Sequence, residues 1–480
     1  MSLSLLSVAS EVFPLIKTGG LADVTGALPL ALAEHGIAVR TLMPGYPDVM
    51  RQVVAGNALC RFEDLFGGPA VVLGARRGDL DLLVLDAPHL YDRSGGPYVT
   101  SGGFDHPDNW ARFAALSKAG AAIAQGAIPG FSPDIVQAHD WQAALTPVYL
   151  SVSNRPRPKT VVTIHNLAFQ GSYPSPVFDQ LDLPPAAWSI EGVEYYGNVG
   201  YLKGGLHAAD LVTTVSPTYA EEILTPGGGM GLDGLLRGRG KQLVGIVNGI
   251  DTTVWDPQAD PAIASTYGRR SLKMRAHNKR AVEGEFGLRR EDGPILVVVS
   301  RLTWQKGLDL VAEACDEIVD RGARLVIVGS GEPMIEGQFL AAHARHPDRV
   351  GVRIGYDEVL SHRVQAGADA ILIPSRFEPC GLTQLYGLRY GCIPVVAKVG
   401  GLADTVIDAN HAAVTAGVAT GVVFGTPTEA ALLDGVDRTL RLHKQPKLWR
   451  SMQVSAMNAD VSWRASARIY ADLFRDLTRE

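Results

Sequence analysis

At 480 residues the chain is too long for one hydrophobic core, which excludes a single compact domain and makes two the expectation. With 46% hydrophobic and 20% charged residues it has the balance of a folded enzyme rather than a disordered chain. A net charge of −6 excludes a whole-molecule field that would attract nucleic acid or an anionic membrane, so an anionic substrate must be met by local Lys and Arg.

The first ten residues are apolar, lack a cationic start and run into Glu11, which reads as a buried strand rather than a signal peptide. Short β-branched runs then recur, each bounded by Gly, Pro, Asp or Ser and followed by an Ala- and Leu-rich stretch of helical spacing. In the first half they are Leu3 to Val8, Ile37 to Met43, Leu80 to Leu85, Asp134 to His139, Thr160 to His165, Leu211 to Ser216 and Leu243 to Val247. In the second half they are Ile295 to Ser300, Leu325 to Gly329, Val350 to Gly355, Ala370 to Pro374, Ile393 to Ala397 and Gly421 to Phe424. Runs that are apolar throughout predict strands covered on both faces, hence parallel sheets flanked by helices and two doubly wound α/β domains. The expected division is 1–247 and 248–454, with a linker in the Asp-, Pro- and Gly-rich stretch from Asn248 to Gly268. A terminal helix is expected over 455–480, where no later strand offers a partner. No run of about 18 apolar residues is present to span a bilayer. Cys60, Cys315, Cys380 and Cys392 show neither disulfide nor zinc spacing, which fits a reducing cytoplasm.

Candidate chemistry falls at the ends of these strands. In Lys17-Thr18-Gly19-Gly20-Leu21 the glycines admit close approach of a ligand to the backbone, and the lysine is a mobile cation; an ordinary strand-to-helix turn explains the same residues equally well. The loop recurs as Lys398-Val399-Gly400-Gly401-Leu402-Ala403-Asp404. His139-Asp140-Trp141 and His165-Asn166 end neighbouring strands and aim their imidazoles at the crevice, as a sugar pocket or as satisfied structural histidines. Asn248-Gly249 is a turn whose amide could also reach a ligand. Arg301 and Lys306 leave the strand Ile295 to Val299 where a diphosphate leaving group would need cations, a surface charge pair being the plain alternative. Glu378, in Glu378-Pro379-Cys380-Gly381-Leu382, stands at a strand-to-helix junction, where a carboxylate can take sugar hydroxyls or cap the helix. Cys380 reads as a small buried thiol, and Gly329-Ser330-Gly331 lacks the third glycine of a dinucleotide fingerprint because Met334 stands there. No third ligand accompanies the histidines, so no metal is expected.

Lys-Thr-Gly-Gly-Leu at 17, His-Asp-Trp at 139, Asn-Gly-Ile-Asp at 248, Arg-Leu-x-x-Gln-Lys-Gly at 301 and Glu-Pro-Cys-Gly-Leu at 378 together resemble the bacterial glycogen synthase and plant starch synthase family over almost the whole chain. The resemblance implies a GT-B fold, two Rossmann-like domains facing a deep cleft, with 455–480 returning to the first domain. It also implies a retaining glucosyltransferase that moves glucose from ADP-glucose to the non-reducing end of an α-1,4-glucan such as glycogen, without metal or cofactor. By motif match Glu378, Lys306, Arg301, His165 and Asp140 form the catalytic set. Lys17, Gly19, Gly20, Asp23, Asn166, Asn248, Cys380, Gly381 and Leu382 surround the donor, and Tyr98 lines the pocket more loosely. Many related transferases carry a second Glu eight positions after the first; here it is Tyr386, which leaves the ribose contact open. UDP-glucose as donor and a sugar-nucleotide epimerase on the same scaffold are the rival enzymes, and a catalytically silent glycan-binding protein is the rival from another class.

Overall fold

The computed structural model describes residues 3–479, so 1–2 of the expected first domain and 480 of the expected terminal helix lie outside the described residues. Two compact units are found, Met1–Asn248 together with Trp463–Glu480, and Gly249–Ser462. No helix among the described residues is long and apolar enough to cross a membrane.

The strands of unit 1 are β1 (Leu3–Val8), β2 (Ile37–Pro44), β3 (Val54–Phe62), β4 (Ala70–Arg77), β5 (Leu80–Asp86), β6 (Ile135–His139), β7 (Lys159–Ile164), β8 (Ser172–Pro174), β9 (Glu194–Tyr195), β10 (Asn198–Gly200), β11 (Leu211–Thr214) and β12 (Leu243–Gly245). Nine of them form one sheet in the order β12-β11-β7-β6-β1-β2-β5-β4-β3, and β8-β10-β9 make a small separate sheet. The strands from β12 to β5 are parallel neighbours, and β6 is buried at every position, as expected of a strand with helices on both faces. Pairing turns antiparallel at the β5-β4-β3 edge, an addition to the expected parallel sheet. There β4 is fully buried only at Ala70, Val72 and Ala75 and exposed at Arg76 and Arg77, a thinner cover than on the parallel strands.

Unit 2 contributes β13 (Ile295–Val299), β14 (Arg324–Gly329), β15 (Val350–Ile354), β16 (Ala370–Ile373), β17 (Ile393–Ala397) and β18 (Val422–Phe424), all parallel, in the order β15-β14-β13-β16-β17-β18. In both sheets the first strand is flanked by strands reached in opposite directions along the chain, β2 and β6 around β1, β14 and β16 around β13. Such a switch point opens a crevice at the carboxyl ends of the strands, where ligands sit in open α/β sheets.

The segment expected as one terminal helix from Ser455 is instead divided. One helix, Pro446–Asn458, stays in unit 2, and residues 459–462 are extended, with Ile250 N donating to Val461 O at 2.8 Å. Asp460 accepts from the Ser462 amide and hydroxyl at 3.0 and 2.6 Å, offering these groups the partner a continued helix would have supplied. The second helix, Trp463–Arg479, buries Trp463, Ala467, Tyr470, Ala471, Phe474 and Leu477, a 3.6-residue stripe. That stripe packs with Val24, Leu28 and Leu32 of the helix Gly20–Ala33 and with Leu5, Ile135 and Val161 of the sheet.

Candidate functional site

In unit 1 the side chains converge at the carboxyl ends of three adjacent strands, β1, β6 and β7. Glu11, which the sequence shows only as the polar residue ending a strand, is the hub. It is buried, and its carboxylate accepts from the Thr18 amide, from the Thr18 hydroxyl at 2.6 Å and from the Tyr98 hydroxyl. Tyr98 also meets Ser10 Oγ at 2.7 Å, and burial, with Glu11 beside it, raises its phenol well above the usual range. Tyr98 is therefore bonded into the base of the loop that carries Lys17. Lys17 Nζ lies 2.8 Å from Asp23 Oδ1, so two expected donor-side groups meet across the first turn of the helix Gly20–Ala33.

Gly19 precedes that helix without a side-chain cap, at φ −162°, and a Cβ there would meet nothing within 4 Å. The fold does not require glycine at 19. The echo at 398–404 differs: Gly400 has φ 40° and its Cβ would stand 2.0 Å from the carbonyl oxygen of Glu378. In the second loop glycine serves the packing of the Glu378 turn, whereas in the first it leaves backbone open.

His139 and His165 were expected to aim at the crevice, but His139 Nδ1 and His165 Nε2 bond each other at 2.9 Å. Burial holds His139 well below its usual value, with His165 adding to the effect, and burial takes His165 down to about 3. Both rings are neutral at pH 7, and His165 Nδ1 has no hydrogen-bond partner among the described residues. Asp140 adopts φ 55°, a left-handed conformation that Asp tolerates better than most residues and that costs on the order of 1 kcal/mol. Its Oδ1 accepts the amides of His165 at 2.7 Å and Asn166 at 3.4 Å, so it shapes the turn after β7. Burial pushes the Asp140 carboxyl up to about 7 against those two bonds, with Glu11 adding to the rise. Asn166 Oδ1 caps Ala168 N at 3.0 Å. Asn248 is buried with an Oδ1 that has no partner among the described residues, an acceptor left open where chain passes out of unit 1.

In unit 2 the turns after β13 and β16 lie side by side at the switch point. Arg376 N donates to Gln305 O at 2.9 Å, and the Arg376 guanidinium reaches Trp304 O at 2.6 Å and both oxygens of Asp309 at 2.7 Å. This cross-bracing sets Lys306 Nζ 2.8 and 2.6 Å from the two oxygens of Glu378, whose Oε2 also accepts from Ser375 Oγ at 2.8 Å. Lys306 and Glu378, read separately as a phosphate cation and a sugar acceptor, thus form one ion pair, 18% and 8% exposed. Arg301 is exposed, and its guanidinium has no partner among the described residues, so its charge is uncommitted. Cys380 is buried, and the Gln384 amide ties the Cys380 and Gly381 carbonyls to the helix Thr383–Tyr390 at 2.9 Å each. Leu382 is half-buried beside them, packed on the unit 2 core. No group of three or more His, Cys, Asp or Glu among the described residues is arranged to hold a metal ion.

Residues 4–238 match the family model described as starch synthase catalytic domain, and 282–452 match glycosyl transferases group 1. Glycogen synthase 1 of Rhizobium meliloti (strain 1021) is 58% identical over 476 residues, covering 99% of each chain. The chain belongs to the glycogen synthase family. The glycogen synthase of Novosphingobium aromaticivorans is 56% identical over 483 residues, the full length of both. The catalytic domain of starch synthase IV from Arabidopsis thaliana, bound to ADP and acarbose, superposes with a TM-score of 0.91 over 100% of each chain at 29% identity. A sucrose-phosphate synthase from Thermosynechococcus elongatus, TM-score 0.62 at 18% identity over 99% of each chain, shares the fold. As a glycogen synthase relative the protein is a hexosyltransferase of the GT-B fold. The Glu11 hub in unit 1 and the Lys306–Glu378 pair in unit 2 each follow strands at a switch point of an open α/β sheet.

Proposed function

We propose that the protein transfers glucose from ADP-glucose, with retention, to the non-reducing end of an α-1,4-glucan and releases ADP. The observation that carries this reading is the Lys306–Glu378–Ser375 cluster at the turns after β13 and β16, in a chain that superposes over its full length on a starch synthase bound to ADP and acarbose. Arg301 and the donor that Lys306 retains beyond its two bonds to Glu378 face the charge that grows on the diphosphate. Glu378 accepts glucose hydroxyls. On unit 1, Lys17, Asp23, Asn166, His165 Nδ1 and the open Asn248 oxygen supply polar contacts, with Gly19 and Gly20 admitting ligand to the backbone. Asp140 acts by holding the 165–166 turn.

No carboxylate stands out as a nucleophile, so the bond from C1 to the diphosphate oxygen breaks first and an oxocarbenium-like sugar forms. The acceptor 4-hydroxyl then bonds C1 from the same face and passes its proton to the departing phosphate oxygen. Catalysis is positioning and charge stabilisation, and the arginine and lysine take the place of a divalent metal. The deciding experiment offers glycogen with ADP-glucose or UDP-glucose, with and without chelator. Glucan-dependent ADP release that survives chelation is expected. Consumption of the sugar nucleotide without glucan would move the reading to an epimerase, and faster UDP release would reverse the donor.

A further inference from the structure

We infer that the segment 255–267 is a positioning element for the Glu378 turn and that Tyr386 transmits its hold; the inference rests on the reading of Glu378 as a donor-site residue. The helix Thr383–Tyr390 begins where the 378–382 turn ends. Its first turn is fastened to that turn by Gln384 Nε2, at 2.9 Å from both the Cys380 and Gly381 carbonyls, and by Tyr386 N at 3.0 Å from Leu382 O. A rotation of the helix therefore drags the turn with it.

While Leu385 and Leu388 bury the helix in the unit 2 core, a second stripe is held by one segment. Tyr386, Arg389 and Tyr390 fall at i, i+3 and i+4, hence on one face, and each is held by the irregular segment 255–267. The Tyr386 ring stacks on Trp255 with centroids 3.7 Å apart and planes 12° from parallel. Arg389 pairs with Asp256 at 2.9 Å and donates to Trp255 O at 3.1 Å. The Tyr390 hydroxyl donates to Asp260 Oδ2 at 2.5 Å, and the Tyr390 carbonyl accepts from the Tyr267 hydroxyl at 2.8 Å. His362 covers the other face of the indole at 3.8 Å and 19°, with its Nδ1 2.8 Å from the same Asp260 oxygen.

Trp255 is thus a plate clamped between two rings, each hydrogen-bonded or helix-borne. Parallel stacking restricts the angle of the helix as well as its distance, which apolar filling at the same place would not do. No helix or strand orders 246–271, so without this clamp the stripe would face a loop with little structure of its own.

The test compares Tyr386→Phe, which keeps the ring, with Tyr386→Leu, which keeps apolar bulk without it. Steady-state kinetics with both substrates, near-ultraviolet circular dichroism and hydrogen exchange of peptides spanning 376–384 are read on each. The Phe variant should match wild type in kinetics and exchange, its dichroism differing only by the loss of the phenol bands. In the Leu variant the aromatic dichroism changes, exchange over 376–384 rises, and kcat falls by at least about tenfold with both KM values little changed, since about an ångström of misplacement can cost about a hundredfold. Wild-type kcat and exchange in a Leu variant with altered dichroism would overturn the inference, as would equal impairment of Phe and Leu. If the Leu variant does not fold, His362→Gln removes the outer ring, and the same rise in exchange must appear there. Exchange is independent of the reaction, so absence of synthase activity in wild type would sink the proposed function alone.

Discussion

Replacing Lys306 by Met and Glu378 by Gln, singly and together, measures how far the ion pair of unit 2 acts as one group. The two side chains are 18% and 8% exposed, with two contacts at 2.8 and 2.6 Å, so solvent screens them far less than a surface pair. Exposed pairs couple by about 0–1 kcal/mol and breaking a fully buried pair costs about 3–5 kcal/mol; this site lies between, at about 2–3 kcal/mol. Each single variant should therefore lower the unfolding temperature of unit 2 by several degrees, and the double variant by less than the two combined. Glu378→Gln leaves Lys306 buried beside an amide oxygen; Lys306→Met leaves Glu378 with Ser375 Oγ. Calorimetry across the four proteins gives the coupling, and diphosphate release gives kcat. Each single change should lower kcat by about a hundredfold or more, the cost of removing a preorganised charge stabiliser, with the double variant close to the worse single one. Strictly additive losses in both stability and rate would refute the view that Lys306 and Glu378 work as a unit, and an unchanged kcat would remove them from the reaction.

Arg301→Ala should lower turnover by about a hundredfold while leaving the melting temperature unchanged, because this exposed guanidinium has no partner among the described residues to lose. Gly19→Ala should fold normally yet lose donor affinity in a binding titration, since its Cβ meets only open space; Gly400→Ala should melt several degrees lower, its Cβ falling 2.0 Å from the Glu378 carbonyl oxygen at φ 40°. Asp140, raised from 3.8 to about 7, holds its proton more tightly when folded, so its contribution to stability is full at low pH and declines as pH rises through that interval. Denaturant titrations should show Asp140→Asn gaining on wild type between pH 5 and 7.5, and parallel curves would mean that Asp140 does not titrate there.

How much of this was legible in the sequence depends on how each residue is covered. The runs Leu325 to Gly329 and Ile393 to Ala397 are buried at every position, and an unbroken apolar run announces that directly. The strand Ala70–Arg77 is only partly buried and ends in two exposed arginines, so its apolar run is short and interrupted by Gly74. Arg301, Lys306 and Glu378 were legible as strand-end residues, but their bonding was not, because it depends on Arg376 bracing two turns 72 positions apart in the chain. Glu11 was missed because a carboxylate ending a strand looks like a solvated stop, and only the fold supplies Thr18 and Tyr98 as its donors. The histidines were placed at the correct strand ends, yet adjacency of β6 and β7 turned them toward each other.

The helix Trp463–Arg479 has a consequence for biosynthesis. Leu28, Leu32 and Phe474 complete a single apolar cluster, so unit 1, begun before unit 2, is completed only after unit 2 has been made. Unit 2 can close on itself while its predecessor still waits for a wall. A stop codon in the final 18 positions would leave unit 2 intact and strike the opening of the chain, exposing the back of the very helix that Lys17 and Gly19 introduce.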